Sequence, residues 1–328
     1  MREAANQKVA VITGASSGIG RATAHELAHR GWRLVLAARD TEALQATVEE
    51  CDVRGAFARA VTTDVTRSEE VQRLAESTLR HEGRIDVWIN NAGIGAVGRY
   101  EETPLAAHEQ VIQTDLLGYM RGAWVALPQF KRQGHGVLIN LLSVGSWLPQ
   151  PYAVAYAAAK RGLTGFSESL RGELTAWPDI HVCDIYPYFV DTPGMRHGGN
   201  YSGHQVRPLP PVTAPYRVAR AICARIERPR PTTVIGASAR AARLACAVTP
   251  GYSRLAGRFT ERALAHSQPA APNPGNLFRP PAEARTVEGG WRNGSNRPLL
   301  LLAAAAAIAA GAYLTRRSQH RHEFTSAA

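Results

Sequence analysis

Short apolar runs rich in β-branched residues recur along the chain, separated by longer stretches in which apolar positions return at helical spacing. Lys8 to Thr13 (Lys-Val-Ala-Val-Ile-Thr), Arg33 to Arg39, Asp86 to Ile89, Val182 to Ile185 and Thr232 to Ile235 are such runs. Unbroken apolarity over roughly four to eight residues fits strands covered on both faces. Arg21 to Ala28, after the first run, is rich in good helix formers. The alternation predicts an α/β fold: a doubly wound parallel sheet of about seven strands with helices on both faces. It occupies residues 1–236, and a helical C-terminal extension follows.

Between the first run and the first helix lies Thr13-Gly14-Ala15-Ser16-Ser17-Gly18-Ile19-Gly20. A strand, a glycine turn and a helix N-terminus together make an anion site. Free backbone N–H groups and the helix dipole point at the same spot, which suits a pyrophosphate. Gly14, Ser16, Ser17, Gly18, Ile19 and Gly20 are therefore candidate cofactor-binding residues, the alternative being an ordinary tight strand-to-helix turn. Further on, Tyr156 and Lys160 are four residues apart in Tyr-Ala-Ala-Ala-Lys, with Ser143 upstream. On a helix this spacing brings both side chains to one face, roughly 5–6 Å apart at Cβ. The ammonium favours the phenolate, so Tyr156 is a candidate proton donor or acceptor near neutral pH. The bland reading of the pair alone is a surface Tyr and Lys.

The Gly-x3-Gly-x-Gly turn, the Tyr-x3-Lys pair and the upstream Ser together resemble the short-chain dehydrogenase/reductase family, collinearly from Lys8 to Gly236. The resemblance implies a Rossmann-like fold and assigns further residues to the cofactor. These are Asn91, Ala92 and Gly93 after the strand ending at Ile89, and Asp64 and Val65 at the end of a third strand, beside the adenine. Pro187, Val190 and Thr192 would lie at the nicotinamide end. It further implies that Tyr156 exchanges the substrate proton, that Lys160 depresses the Tyr156 pKa and bonds the nicotinamide ribose, and that Ser143 holds the substrate oxygen. Two positions depart from the family pattern. Asp115 stands where many members carry an active-site Asn holding a water in a proton relay; as an anion it would pair with Lys160 and weaken its hold on Tyr156. Tyr188 replaces the Gly that follows Pro187 and is a candidate substrate-pocket residue.

Charge decides the cofactor. An acidic residue ending the second strand binds the NAD ribose, whereas an Arg nearby accommodates the NADP 2′-phosphate. Here the strand ends in Ala-Ala-Arg, with Arg39 placed to grip a phosphate and Asp40 expected to cap the next helix. The expected activity is an NADP(H)-dependent oxidoreductase interconverting a carbonyl and an alcohol. Trp147, Leu148, Tyr152, Tyr188 and Phe189 favour a lipophilic substrate. The competing reading is a catalytically weak NADP(H)-binding sensor or scaffold. Gly194 to Pro215 reads as a mobile substrate loop, with an inert surface loop as the alternative.

Of the net charge of +11, residues 237–328 contribute +8, from 12 basic and 4 acidic side chains. Residues 237–267 read as a basic amphipathic helical extension, lying on a membrane or docked on the catalytic domain. Residues 268–298 read as a flexible Pro/Gly-rich linker. Residues 299–315, uncharged and rich in Leu and Ala, are a candidate transmembrane or membrane-associated helix, and 316–328 a basic tail. No signal peptide precedes the first strand. The expected location is cytoplasmic, or the cytoplasmic face of a membrane. The four cysteines show no metal-ligand spacing, so no metal is expected and a reduced compartment is the simpler reading. The basic surface lacks interleaved aromatics, which argues against nucleic acid. The resemblance implies a homo-dimer or homo-tetramer.

Overall fold

The computed structural model describes residues 7–248, 251–281 and 285–292. β1 (Val9–Thr13) is buried along its whole length in the interior of the sheet. Its side chains alternate between two cores: Ala10 and Ile12 join one, Val9 and Val11 the other. That two-sided burial is why the strand is an unbroken apolar run. The main sheet has seven parallel strands, in the order β3-β2-β1-β4-β6-β7-β9. The others are β2 (Arg33–Ala38), β3 (Ala58–Thr62), β4 (Val87–Asn90), β6 (Gly136–Leu141), β7 (Ile180–Pro187) and β9 (Thr232–Ile235). A small parallel pair, β5 (Ala96–Val97) with β8 (Gly199–Asn200), stands apart.

One face of the sheet is covered by α1 (Gly18–Ala28), α2 (Thr41–Val53) and α8 (Pro215–Glu227), through Leu27, Leu44, Val48, Val218 and Ile222. The other is covered by α3 (Ser68–Glu82), α5 (Gly118–Gln133) and α6 (Val154–Glu173), through Leu74, Ala123, Phe130 and Leu170. α4 (Leu105–Ile112) leads into a π-helical turn, Gln113–Leu117, that precedes α5. α7 (Gly194–His197), α9 (Ala237–Val248) and α10 (Tyr252–Ala265) complete the described helices. The chain winds outward from β1 on one side, to β2 and β3, and then crosses to β4 on the other. The crevice at that reversal, outside the strand C-termini, is where open α/β sheets bind ligands.

The predicted doubly wound sheet of seven strands is what forms. One strand end differs. β3 stops at Thr62, so Asp64 and Val65 lie in the following loop. There the Asp64 carboxylate accepts from the backbone and hydroxyl of Thr66, closing a local turn that ends strand pairing.

After β9 the helical extension takes the second of its two expected placements, docked on the catalytic domain, whereas the stretch beyond it differs from the expected linker. The helical extension docks on the domain through buried Ala239 and partly buried Tyr252, which pack near Val144, Leu148 and Tyr188. Glu261 pairs with Arg99 at 2.7 Å, while Leu255 and Phe259 stay exposed. Residues 268–281 and 285–292, expected as a free linker, run along the body with their backbone bonded to it. Gln205 N donates to Gln268 O, and Asn200 and Asn273 exchange bonds in both directions. Gly- and Pro-rich chain suits such an extended course as well as it suits a loose one. Among the described residues no helix is long and apolar enough to cross a membrane, and the run 299–315 lies outside them.

Candidate active site

The glycine turn is held shut by the segment after β4. Thr13 Oγ1 donates to Ile89 O at 3.2 Å and accepts from the backbone N–H groups of Asn91 and Ala92. Asn91 Nδ2 returns to Thr13 O at 2.9 Å and Gly14 O at 3.1 Å. Two of the glycines are required by close approach. Gly14 has φ +65°, and a Cβ there would come within 2.7 Å of Ala92 Cα; one on Gly20 would collide with the Gly14 carbonyl. Ser17 is the extended N-cap of α1, Gly18 faces Thr192, and Ile19 packs on the core. Ser16 is partly buried beside them.

Arg39 follows the end of β2 and donates to the backbone carbonyls of Leu277 and Asn276. Asp40 caps α2 through Ala43 N at 3.1 Å, as expected. Val65 packs against Gly118, where a Cβ would come within 2.9 Å of it. At the opposite end Pro187 closes β7, Val190 packs on the core and bridges to Thr213, and Thr192 lies against Gly18. The glycine turn, Asn91–Gly93 and Thr192 therefore lie together beyond the C-terminal ends of β1, β4 and β7.

α6 carries Tyr156 and Lys160 on one face, and a 3₁₀ turn, Val144–Ser146, brings Ser143 to them. Ser143 Oγ caps that turn, accepting from Gly145 N at 3.1 Å. A Cβ on Gly145 would sit 3.4 Å from the Tyr156 ring and 3.6 Å from Ser143 Oγ, so both side chains flank the same glycine. Lys160 is 3 % exposed, and its Nζ lies 5.7 Å from the Tyr156 ring centre.

The Lys160 ammonium is fully engaged. It donates to Leu141 O at 3.0 Å and Tyr119 Oη at 3.2 Å, and forms an ion pair with Asp115 Oδ2 at 3.2 Å. Asp115 is fully buried; the wide π-helical turn aims it inward, and its Oδ1 accepts from Ile94 N at 2.8 Å. A Cβ on Gly93 would sit 3.3 Å from its Oδ2, so Asp115 backs the cofactor segment as well as the lysine. Burial pushes the Asp115 carboxyl up, against the pull of Lys160 and the Ile94 N–H.

The acidity of Tyr156 differs from expectation. Its pKa is raised: burial is the largest cause, Lys160 and a Ser143 hydrogen bond oppose it, and Asp115 adds to it. The lysine does act in the expected direction, but the adjacent carboxylate offsets part of its field and desolvation prevails.

Tyr188 sits edge-on to Phe189, with ring centres 5.0 Å apart, and joins the apolar group of Val144 and Leu148. Trp147 stacks on Tyr186 at 4.1 Å. Tyr119 escaped sequence reasoning, because its position against Lys160 depends on the extra residue of the π-helical turn. Asp191 escaped it too. Buried beside Thr192, it accepts from Gly289 N and Trp291 N, a hundred residues away in the chain at the latter.

The model of the short chain dehydrogenase family matches residues 8–200. An uncharacterized oxidoreductase of Bacillus subtilis, YxnA, is 35% identical over 270 residues, covering 80% of this chain and 74% of its own. 11-beta-hydroxysteroid dehydrogenase A of Sesamum indicum is 36% identical over 187 residues, 56% of this chain and 53% of its own. Among solved structures, an alcohol dehydrogenase of the archaeon Thermococcus sibiricus, complexed with 5-hydroxy-NADP, superposes with a TM-score of 0.62 at 29% identity, over 70% of this chain and 96% of that one. A short chain dehydrogenase/reductase of Burkholderia phymatum in complex with NAD gives 0.65 at 28%, over 81% and 98%. With a family model that matches residues 8–200 and a seven-stranded parallel sheet to carry it, the chain belongs to the short chain dehydrogenase family of oxidoreductases.

Proposed function

We propose that this protein uses NADP(H) to interconvert a carbonyl and an alcohol on a lipophilic substrate. What supports the reading is that Ser143 and Tyr156 flank Gly145, that Lys160 lies beside Tyr156, and that Asp115 links Lys160 to the Gly93 segment next to the glycine turn. The cleft suits a dinucleotide: backbone approaches backbone at Gly14 and Gly20 with no room for side chains, and Arg39 offers a cation at the far end. Gly14 to Gly20, Asn91 to Gly93, Asp64, Val65, Pro187, Val190 and Thr192 would hold the cofactor, and Arg39 its 2′-phosphate. NADP(H), when bound, supplies or accepts the hydride.

The chain's own groups move the proton. Tyr156 donates its hydroxyl proton to the oxygen that gains charge as the carbonyl is reduced, and withdraws it in the reverse direction. Ser143 donates a hydrogen bond to the same oxygen, worth most where charge develops. Lys160 stabilises the phenolate left behind. Tyr188 and Leu148 offer an apolar wall, and the relative from Sesamum indicum is named for a steroid, a substrate of that lipophilic class. Exposed Trp124 and Met120 on α5 support a homo-dimer or homo-tetramer.

Tyr156→Phe should lower kcat by roughly a hundred- to ten-thousand-fold with NADPH affinity nearly unchanged. Unaltered turnover on a panel of aldehydes, diketones and long-chain ketones would refute the acid–base role. Arg39→Ala should lower the ratio of kcat/KM for NADPH to that for NADH by about tenfold or more, roughly the loss of a charge-assisted bond. A wild type that prefers NADH would overturn the NADP assignment. The ion pair between Asp115 and Lys160 supports a second reading, a dinucleotide-binding sensor with little turnover. Tight NADPH binding without oxidation of the cofactor on any member of the panel would favour it.

A further inference from the structure

The stretches 268–281 and 285–292 hold the groups that the cofactor would need. Arg39 commits both terminal nitrogens to them: Nη1 donates to Leu277 O at 3.0 Å and Nη2 to Asn276 O at 2.6 Å. Gly18 N, in the first turn of α1, donates to Thr286 O at 3.0 Å. Backbone carbonyl oxygens thus engage a guanidinium and a helix-terminal N–H, the two kinds of donor that recognise phosphate oxygens.

The contact is built rather than incidental. Leu277 is 0 % exposed, seated in a cluster with Ile94, Ala96, Ala107, Val111 and Ala155, against which Tyr156 packs. Gln110 Nε2 donates to Leu277 O at 3.1 Å. Downstream, Asp191 Oδ1 accepts from Gly289 N and Trp291 N, and Trp291 Nε1 donates to Thr192 O at 3.1 Å. Side chains would spoil the fit at two points: a Cβ at Gly275 would collide with the His197 carbonyl, and one at Gly289 with the Thr192 carbonyl.

We propose that these two stretches form an autoinhibitory strap that stands in for the dinucleotide, so that strap closure and cofactor binding exclude each other. This rests on reading the cleft as the dinucleotide site. Apparent cofactor affinity then equals the intrinsic affinity multiplied by the fraction of molecules with the strap open. Anything that draws the strap away activates the protein without touching Tyr156 or Lys160.

The test is titration of NADPH and of NADH, followed by nicotinamide fluorescence, into three full-length proteins. They are the wild type, Leu277→Asp, and a variant with residues 275–281 and 285–291 replaced by an equal length of Gly-Ser. Dinucleotide binding tightens at least about tenfold in both variants, as expected when a closed state is removed. In a second arm, trypsin cuts wild type after Arg285 faster when NADPH is present. That arm needs no substitution, so it decides the matter even where a variant folds poorly. Unchanged or weaker binding in both variants, or protection of Arg285 by NADPH, overturns the strap. Failure of all three proteins to bind either dinucleotide removes the cofactor reading, and the strap's role falls with it.

Discussion

Lys160 has two neighbours competing for its charge. One is Tyr156, whose phenolate it favours; the other is Asp115, 3.2 Å away and wholly buried. Because Asp115 raises the Tyr156 pKa while Lys160 lowers it, removing the carboxylate charge leaves the lysine less opposed. Asp115→Asn should therefore move the acid limb of alcohol oxidation to lower pH, by roughly one unit for a charge at this range. The amide oxygen can still accept from Ile94 N, so the π-helical turn has reason to persist. Profiles of kcat/KM against pH for wild type and variant check this; coincident limbs would mean that Asp115 is electrically silent. At this scale sequence spacing located Ser143, Tyr156 and Lys160, since i,i+4 geometry is local. It could not locate Tyr119, whose contact with Lys160 depends on the register of a distorted turn.

Between elements, α1 and α2 are joined by charge at their outer edge. Glu50 of α2 meets Arg21 at 2.7 Å and His25 at 2.7 Å, both on α1. The Arg21 hydrogen bond, chiefly, and that of His25 bring the Glu50 carboxyl down from 4.5 to about 2. A carboxyl pKa lowered by folding stabilises the fold above its unfolded value and ceases to do so as pH falls through the folded one. The contribution is thus complete above 4.5 and lost toward about 2. With 38% of the Glu50 side chain exposed, solvent screening reduces it to about 1–2 kcal/mol. Glu50→Gln should cost that much at neutral pH in urea unfolding, with the gap to wild type narrowing below pH ~4. A pH-independent gap would assign the cost to packing instead. Elements were legible wherever burial on both faces demanded unbroken apolar runs, as in β1, β2 and β4. The course of residues 268–281 and 285–292 was not, because their partners are groups far away in sequence, and composition does not encode them.

Across the whole molecule, the strand order places the cleft where the winding reverses, and everything proposed for chemistry gathers there. The opposite requirement holds for α5, whose Trp124 keeps 69% of its surface and Met120 39%. A large aromatic left in water is a common anchor between subunits. Trp124→Glu should convert an associated wild type to a slower-sedimenting species in velocity ultracentrifugation, without loss of helical content. A wild type already monomeric at tens of micromolar would end that assignment.

Arg292 is bonded to Asp191, next to the threonine that faces Gly18. The described polypeptide therefore departs from the rim of the crevice rather than from the far side of the sheet. A pull on the chain beyond Arg292 would load the Asp191 bonds first and peel the adjoining stretch away from the mouth. Tension and occupancy would then share one coordinate: a grip on the trailing end, by whatever means, would set how readily a nucleotide enters.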